Sequence, residues 1–413
     1  MVKKYFLATS LSLLVALISF IKSLPCRSDF FQSPNSYMRL CYSDIPALFG
    51  ARSLDQGVNP YASATNSMEY PVGTGYIAST IARFSDDFLT FFDLNAVLVA
   101  LLFIATTLVI ARLAPDHWPL FIVAPALAAS LYINWDIWGV FAMVLAFFYI
   151  KKERWDLAGI WFGLSIAIKF FPIFFLPIFL IFFLLRRRSG DIRSWRPFTF
   201  YLLFTIFILN ISTAITYFDG WSRFFTFNQD RGVDLGSIWY ALQLLFGLTI
   251  PSLNLTLLLL GVFLLLISYP LTYPKLKEMR KREWDPYQVL IFGTFISLAL
   301  LFSVNKVYSP QYIIWLTPLA VLSIAHSCTS LERTWFWIWQ VGEAIYHLSI
   351  WQYLAEFSGG TGLSEELYAL TIFIRISTLA GFAYVVAKAR LHPPFTEESD
   401  DSLQEGVPKG KSA

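Results

Sequence analysis

The sequence has little charge for its length. Charged residues make up 14% of its 413 residues, whereas a soluble domain carries about 25%. Hydrophobic residues reach 56% and aromatic residues 18% of the chain. This composition excludes an ordinary soluble domain and indicates that lipid surrounds most of the chain.

Several classes of functional site are missing from the sequence. The four histidines and three cysteines do not have the spacing of a metal-binding cluster. A Gly-rich phosphate loop, a nucleotide-binding fingerprint and internal repeats are absent as well. We therefore predict no metal, no cofactor and no nucleic-acid partner.

Long apolar runs recur along nearly the whole sequence. A helix needs about 20 apolar residues to cross the hydrocarbon core of a bilayer, and the alternation of a membrane barrel is not seen. We predict an all-α polytopic membrane protein with about 12 transmembrane helices. The predicted spans are 5–24, 91–111, 118–133, 137–150, 155–168, 170–185, 198–215, 250–270, 287–303, 311–327, 335–352 and 366–387.

Basic residues set the predicted orientation. Twelve spans put both termini on one side, and most Lys and Arg residues fall on that side, including Lys3 and Lys4 and the clusters at 186–196 and 275–282. The positive-inside rule makes this face cytoplasmic. We expect a multi-pass inner (plasma) membrane protein with both termini cytoplasmic, a transmembrane module at 1–390 and a disordered tail at 391–413.

Two long segments fall on the predicted outer side. Residues 25–90 are partly apolar and predict short helices that lie in the membrane interface. Residues 216–249 end in an apolar stretch too short to span, which we interpret as re-entrant or interfacial. Cys26 and Cys41 lie in the first of these loops, where a disulfide or two free buried thiols are both possible.

Ionisable residues at the outer membrane boundary are costly and often mark a site. Asp44 is a candidate general base, although a helix cap is the alternative. Asp136, within Asn134-Trp135-Asp136, is a second acid with the same alternative. Glu69 is a further acid that could take the role of base.

Three separated cations fall on the same predicted face. Lys169 lies where two apolar runs meet and could bind phosphate or snorkel to the surface. Arg231 could grip an anion with its planar fork or pair with Asp230. Lys306 could bind phosphate or belong to a solvated loop.

One carboxylate and several cations on one face suit sugar transfer from a lipid phosphate. A base takes the proton of the acceptor hydroxyl, and cations stabilise the departing phosphate. Because phosphate is already a good leaving group, the second carboxylate of most glycosidases is dispensable. Lipid or glycolipid transporters also bury such groups, so a transporter is the alternative, although the two related halves with broken helices are not seen.

Four blocks of sequence follow one another on the predicted outer side. The first block comprises Asp44-Ile45-Pro46-Ala47-Leu48-Phe49, Gly57-Val58-Asn59-Pro60-Tyr61 and Glu69-Tyr70-Pro71. The others are Asn134-Trp135-Asp136, Ala167-Ile168-Lys169-Phe170-Phe171-Pro172 and Lys306-Val307-Tyr308-Ser309-Pro310-Gln311-Tyr312. Together they resemble glycosyltransferase family 87, which consists of integral-membrane transferases of the GT-C fold. In addition, residues 227–237 are similar to outer-loop sequences of actinobacterial members.

The resemblance covers roughly residues 1–390. It implies transfer of mannose or arabinose from a polyprenyl phosphate to a glycolipid or polysaccharide of the cell envelope, on the extracytoplasmic face. Asp44 matches the family's catalytic base. We place the binding of phosphate and substrate at the following residues: Lys169, Arg231, Lys306, Tyr308 and Gln311.

Overall fold

The computed structural model describes residues 2–188, 191, 193–249, 285–326 and 328–391, and every regular element in these ranges is a helix. The helices are α1 Val2–Ile21, α2 Leu24–Ser28, α3 Asn35–Met38, α4 Asp44–Ala51, α5 Val72–Ala82, α6 Phe88–Leu113, α7 Pro119–Ile122, α8 Pro125–Ser130, α9 Asp136–Lys151, α10 Trp155–Ile168, α11 Leu176–Arg188, α12 Trp195–Thr216, α13 Phe218–Asp230, α14 Ile238–Phe246, α15 Pro286–Val304, α16 Ile313–Ile324, α17 Ser330–Phe357 and α18 Glu365–Leu391. Short 3-10 turns occur at Leu54–Gln56, Phe171–Phe175 and Pro310–Tyr312.

Five of the described helices are long and apolar enough to cross a membrane. They cover Lys3–Ser28, Phe88–Leu113, Trp195–Thr216, Pro286–Val304 and Glu365–Arg390. On α12, Phe200, Leu203 and Phe207 are each exposed over more than half of their surface. Apolar side chains turned outward in this way are expected of a helix that faces lipid. The all-α membrane fold is thus confirmed.

The predicted span at 118–133 is wrong, because the chain breaks there into α7 and α8. Ala124 is extended between the two helices, as expected of a residue that precedes a proline. Pro125 has no N–H with which to continue α7. The predicted span at 250–270, the basic cluster at 275–282 and the tail beyond residue 391 lie outside the described residues.

The core is rich in large aromatic side chains. Trp135, Trp138, Trp315 and Trp339 are buried completely or nearly so. The helix α9 lies among α6, α10 and α16 and is buried along most of its length. Because α9 is enclosed by these helices, the residues just before it, Asn134 and Trp135, are held in the protein interior.

The predicted first outer loop folds into short helices, α2 to α5, as expected. A disulfide joins Cys26 to Cys41 and closes the part of the loop that contains α3. This decides between the two alternatives for these cysteines. The bond ends only three residues before Asp44, so it limits the freedom of the chain that leads to this carboxylate.

The last two helices enclose an ion pair. Arg375 Nε lies 2.8 Å from Glu343 Oε2, and both side chains are buried. Arg375 also donates to the Tyr308 carbonyl at 2.6 Å, while the Tyr308 hydroxyl donates to Glu343 Oε1 at 2.6 Å. The loop between α15 and α16 is thereby attached to α17 and α18.

The predicted second outer segment, residues 216–249, packs against this loop. The Tyr368 hydroxyl donates to the Leu235 carbonyl at 2.9 Å. A Cβ atom at Gly236 would overlap the carbonyl oxygen of Tyr308. Only glycine allows the two backbones to approach so closely, and this contact brings the residues after α13 beside Lys306.

Candidate functional site

One cavity of about 660 Å³ collects most of the predicted site residues. Its lining includes Asp44, Glu69, Lys169, Arg231, Lys306 and Gln311. Tyr308 and Asp136 are not part of the lining, because both side chains point into the protein interior. Residues far apart in the sequence thus meet at one site, although their roles stay predictions.

Asp44 is held by the residues that precede α9. Its backbone N–H donates to the Ile133 carbonyl at 2.8 Å. The Ser43 hydroxyl donates to the Tyr132 carbonyl at 2.7 Å and accepts from the N–H of Ile45. Ser43 is therefore the cap of α4, and the interpretation of Asp44 as the cap is wrong.

The carboxylate of Asp44 accepts two side-chain hydrogen bonds. Tyr42 donates to Oδ1 at 2.9 Å, and the Asn134 amide donates to Oδ2 at 2.7 Å. Burial raises the pKa of Asp44 above its usual value, while the bonds from Asn134 and Tyr42 and the charge of Lys169 oppose this rise. A carboxyl group whose pKa is raised by burial is a stronger base than an exposed one, which suits proton removal.

Lys169 is paired with Asp136 inside the protein. Its Nζ lies 3.4 Å from Asp136 Oδ2, donates to Asn134 Oδ1 at 3.2 Å and lies 4.1 Å from the centre of the Tyr70 ring. Lys169 is only 5% exposed, so the snorkelling alternative is wrong.

Asp136 is the first residue of α9 and is not its cap. Its Oδ1 accepts from Trp315 Nε1 at 2.7 Å, and the residue is 0% exposed. A carboxylate enclosed in this way can fix Lys169 but cannot reach an acceptor hydroxyl in the cavity. The hypothesis that Asp136 is a reserve base is therefore wrong.

Glu69 lines the cavity but already has a cationic partner. Arg52 Nε donates to Glu69 Oε2 at 2.7 Å, and the guanidinium makes a second, shorter contact with the same oxygen. Within the described residues, no such ion pair involves Asp44. Asp44 is thus the lining acid best suited to take up a proton.

Arg231 pairs with Asp234, whereas Asp230 was the predicted alternative partner. Arg231 Nη2 lies 2.6 Å from Asp234 Oδ1. Asp234 is fixed in turn, because its N–H donates to the Lys306 carbonyl at 2.7 Å and its Oδ2 accepts from Ser309 at 3.2 Å. The pair with Asp234 leaves further guanidinium donors for a ligand.

Lys306 is buried, so the interpretation as a solvated loop residue is wrong. Its ammonium donates to the carbonyls of Arg231 at 2.5 Å and Gln229 at 3.2 Å. Burial lowers the pKa of Lys306, and the nearby charge of Arg231 lowers it further. The two positive charges thus repel each other, and a bound anion would relieve this repulsion.

Some residues of the site carried no predicted role. Asn134 connects Asp44 to Lys169, and its amide also donates to the Tyr70 hydroxyl at 2.7 Å. Asn134 belongs to one of the blocks that resemble glycosyltransferase family 87, and this resemblance is the sequence signal that could have indicated a role for it. Asp234 could have been found from its spacing, because it follows Arg231 by three residues.

A second, apolar groove of about 300 Å³ adjoins the cavity. Pro71, Phe170, Phe224 and Phe225 belong to the lining of both spaces. The rest of the groove lies mainly along α10 and α12, and Phe207 of the lipid-facing surface contributes to it. The groove therefore connects the polar cavity with the lipid-facing side of the protein.

Metal ligands do not cluster in the described ranges. No group of three or more His, Cys, Asp or Glu side chains that could hold a metal ion occurs there.

Comparison with known proteins gives one family and one fold. The sequence model of glycosyltransferase family 87 matches residues 69–303, which is more than half of the chain. The crystal structure of ArnT from Cupriavidus metallidurans bound to undecaprenyl phosphate is similar, with a TM-score of 0.50 and 12% sequence identity, over 92% of this chain and 77% of that one. A search of curated protein sequences finds no match. At this identity the likeness concerns the fold, which is the GT-C membrane fold.

Proposed function

Because the chain belongs to glycosyltransferase family 87, we propose that it transfers a sugar from a polyprenyl-phosphate donor to a glycolipid or polysaccharide of the cell envelope. Mannose and arabinose are the sugars to test first. The reaction takes place on the extracytoplasmic face, where the cavity would open to donor and acceptor. The observation that carries the proposal is the meeting of Asp44 with Arg231 and Lys306 in one cavity beside an apolar groove.

Asp44 acts as the general base in the proposed reaction. An acceptor hydroxyl oxygen forms a bond to the anomeric carbon, and its proton passes to the Asp44 carboxylate. The bond between the anomeric carbon and the phosphate oxygen breaks, and polyprenyl phosphate leaves with the electron pair. Because the displacement is a single step, the configuration at the anomeric carbon is inverted.

Arg231 and Lys306 bind the phosphate of the donor. Their neighbouring charges would stabilise the negative charge that develops on the leaving group. Lys169 has a different role, because its ammonium is enclosed by Asp136, Asn134 and the ring of Tyr70. It fixes Asn134 and thereby the carboxylate of Asp44.

The apolar groove takes the first isoprene units of the donor. Its lining is dominated by aliphatic and aromatic side chains, and it meets the cavity at Phe170, Phe224 and Phe225. The lipid phosphate bound to ArnT supports this class of donor. A donor placed in this way has its tail toward lipid and its phosphate toward Arg231.

Purified protein should be given radiolabelled polyprenyl-phosphate mannose or arabinose together with a membrane extract as the acceptor. We expect a labelled product, and we expect Asp44→Asn to lower the rate by about 100-fold or more, since it removes the base but keeps the size of the side chain. Asp55→Asn is the matched control, because Asp55 belongs to the same loop but does not line the cavity. Full activity of Asp44→Asn would move the base to Glu69, and the absence of product from both donors would refute the proposed transfer.

A further inference from the structure

Among the aromatic rings that line the cavity, three form a cluster that has no part in the proposed donor chemistry. They belong to Tyr37, Tyr42 and Trp351. The rings of Tyr37 and Trp351 are stacked with an interplanar angle of 9° and centroids 6.1 Å apart. Tyr42 lies 5.1 Å from Tyr37 and 5.3 Å from Trp351 between centroids. We name these three residues the aromatic platform.

The aromatic platform is held in place from two sides. Trp351 Nε1 donates to His347 Nε2 at 3.2 Å within α17. Tyr37 belongs to α3, which packs on α17 and lies inside the loop closed by the Cys26–Cys41 disulfide. A platform fixed in this way can bind a ligand without a further loss of side-chain entropy.

The aromatic platform adjoins the base. The Tyr42 hydroxyl donates to Asp44 Oδ1, whereas the other oxygen of Asp44 is bonded to Asn134, which leads to Lys169. The proposed donor site uses Arg231, Lys306 and the groove beyond Phe170. The acceptor hydroxyl has to contact Asp44, and the side of Asp44 that the donor leaves open is the side of Tyr42.

We propose that the aromatic platform is the acceptor subsite and that it binds a sugar ring, so that the nucleophile is a carbohydrate hydroxyl; this rests on the proposed transferase function. The C–H groups of a sugar ring carry partial positive charge and pack on the negative face of an aromatic ring. The hydroxyl groups at the rim of the sugar stay free for polar contacts.

The test is saturation-transfer difference NMR on the full chain in lipid nanodiscs, with methyl α-D-mannopyranoside as the probe and with the aromatic protons of the protein irradiated. We expect transfer to the C–H protons of the sugar. Tyr37→Leu removes the ring face and should raise the Kd by about 3- to 10-fold, whereas Tyr37→Phe keeps the face and should stay close to the unaltered protein. Cyclohexanemethanol, a ring alcohol that is not a sugar, is the matched probe and should give a weaker signal.

Added undecaprenyl phosphate tests whether the probe occupies the phosphate-binding part of the donor site. We expect the signal of the mannoside to persist, because the lipid phosphate would occupy the donor side only. The acceptor subsite would be overturned by loss of the mannoside signal when this lipid is added, or by an unchanged Kd in Tyr37→Leu. Equal signals from the mannoside and from cyclohexanemethanol would overturn it as well. Because sugar binding is measured without turnover, intact binding in a protein that transfers no sugar would count against the proposed transferase function instead.

Discussion

Tyr42→Phe should move the pH dependence of the enzyme without removing the base. Tyr42 donates a hydrogen bond to Asp44 Oδ1, and this bond stabilises the ionised carboxylate. The charge of Asp44 and burial raise the pKa of Tyr42, so the phenol keeps its proton and stays a donor. Phenylalanine retains the ring and its contacts with Tyr37 and Trp351 but cannot donate.

The size of the effect follows from this one bond. A hydrogen bond to a charged group is worth about 1.5–3 kcal/mol, and the lower end applies because Tyr42 is only partly buried. About 1.4 kcal/mol corresponds to one pH unit. The bond favours the ionised form, so its loss raises the pKa of Asp44. The acid limb of kcat/KM should therefore shift upward by about one pH unit.

The assay measures kcat/KM for transfer as a function of pH, with the radiolabelled donor that the protein uses. The plateau of kcat/KM at high pH should change little, because Asp44 is deprotonated there in both proteins. Tyr37→Phe is the matched control, because it also removes a phenol from the cavity lining but not a hydrogen bond to Asp44. An unmoved acid limb in Tyr42→Phe, or the same shift in Tyr37→Phe, would refute the assignment of this limb to Asp44.

Two further outcomes are expected. Arg231→Gln should lower kcat as well as raise the donor KM, and kcat/KM should fall by about 10- to 150-fold because one charge-assisted contact is lost. Arg187→Gln, at an exposed position, is the control and should leave steady-state kinetics unchanged. Equal kinetics in both variants would place the phosphate elsewhere. A cysteine introduced at the exposed Gly57, in a chain without Cys328, should react with a membrane-impermeant thiol reagent in intact spheroplasts, and labelling only after permeabilisation would reverse the predicted orientation.

The sequence located the cavity residues because membrane chemistry makes ionisable groups conspicuous. Asp44, Lys169, Arg231 and Lys306 could be selected since each lies next to an apolar run on the predicted outer side. All four line the same cavity. The family blocks added Gln311, which lines the cavity as well.

Partners distant in the sequence could not be predicted. Asp136 looks like a helix cap because capping signals are local. Its Oδ1, however, accepts from Trp315 and its Oδ2 lies 3.4 Å from Lys169 Nζ, and both partners come from other elements. Tyr308 stood in a matching block, but its hydroxyl turns inward to Glu343. A sequence pattern predicts on which face of the membrane a residue lies. The packing of the helices decides which side chains are in contact on that face.

The break at Pro125 shows the limit of apolar composition as a signal. Residues 118–133 are apolar enough to suggest one helix, but Pro119 and Pro125 divide them into two short ones. The segment can end in irregular backbone because that backbone is buried in protein. This irregular stretch is also what holds Asp44, through the carbonyls of Tyr132 and Ile133.

The buried pair of Arg375 and Glu343 has a consequence for how the chain enters the membrane. A single charge at the centre of a membrane helix costs about 2.5–3.5 kcal/mol on insertion scales, and the cost falls when a partner of opposite charge is at hand. Glu343 belongs to α17, which contains the predicted span 335–352, and Arg375 belongs to α18; residues 358–364 separate these helices. We therefore expect the two to insert as one hairpin during biogenesis, and a chain that ends at Phe357 should integrate α17 less completely than the full-length chain does.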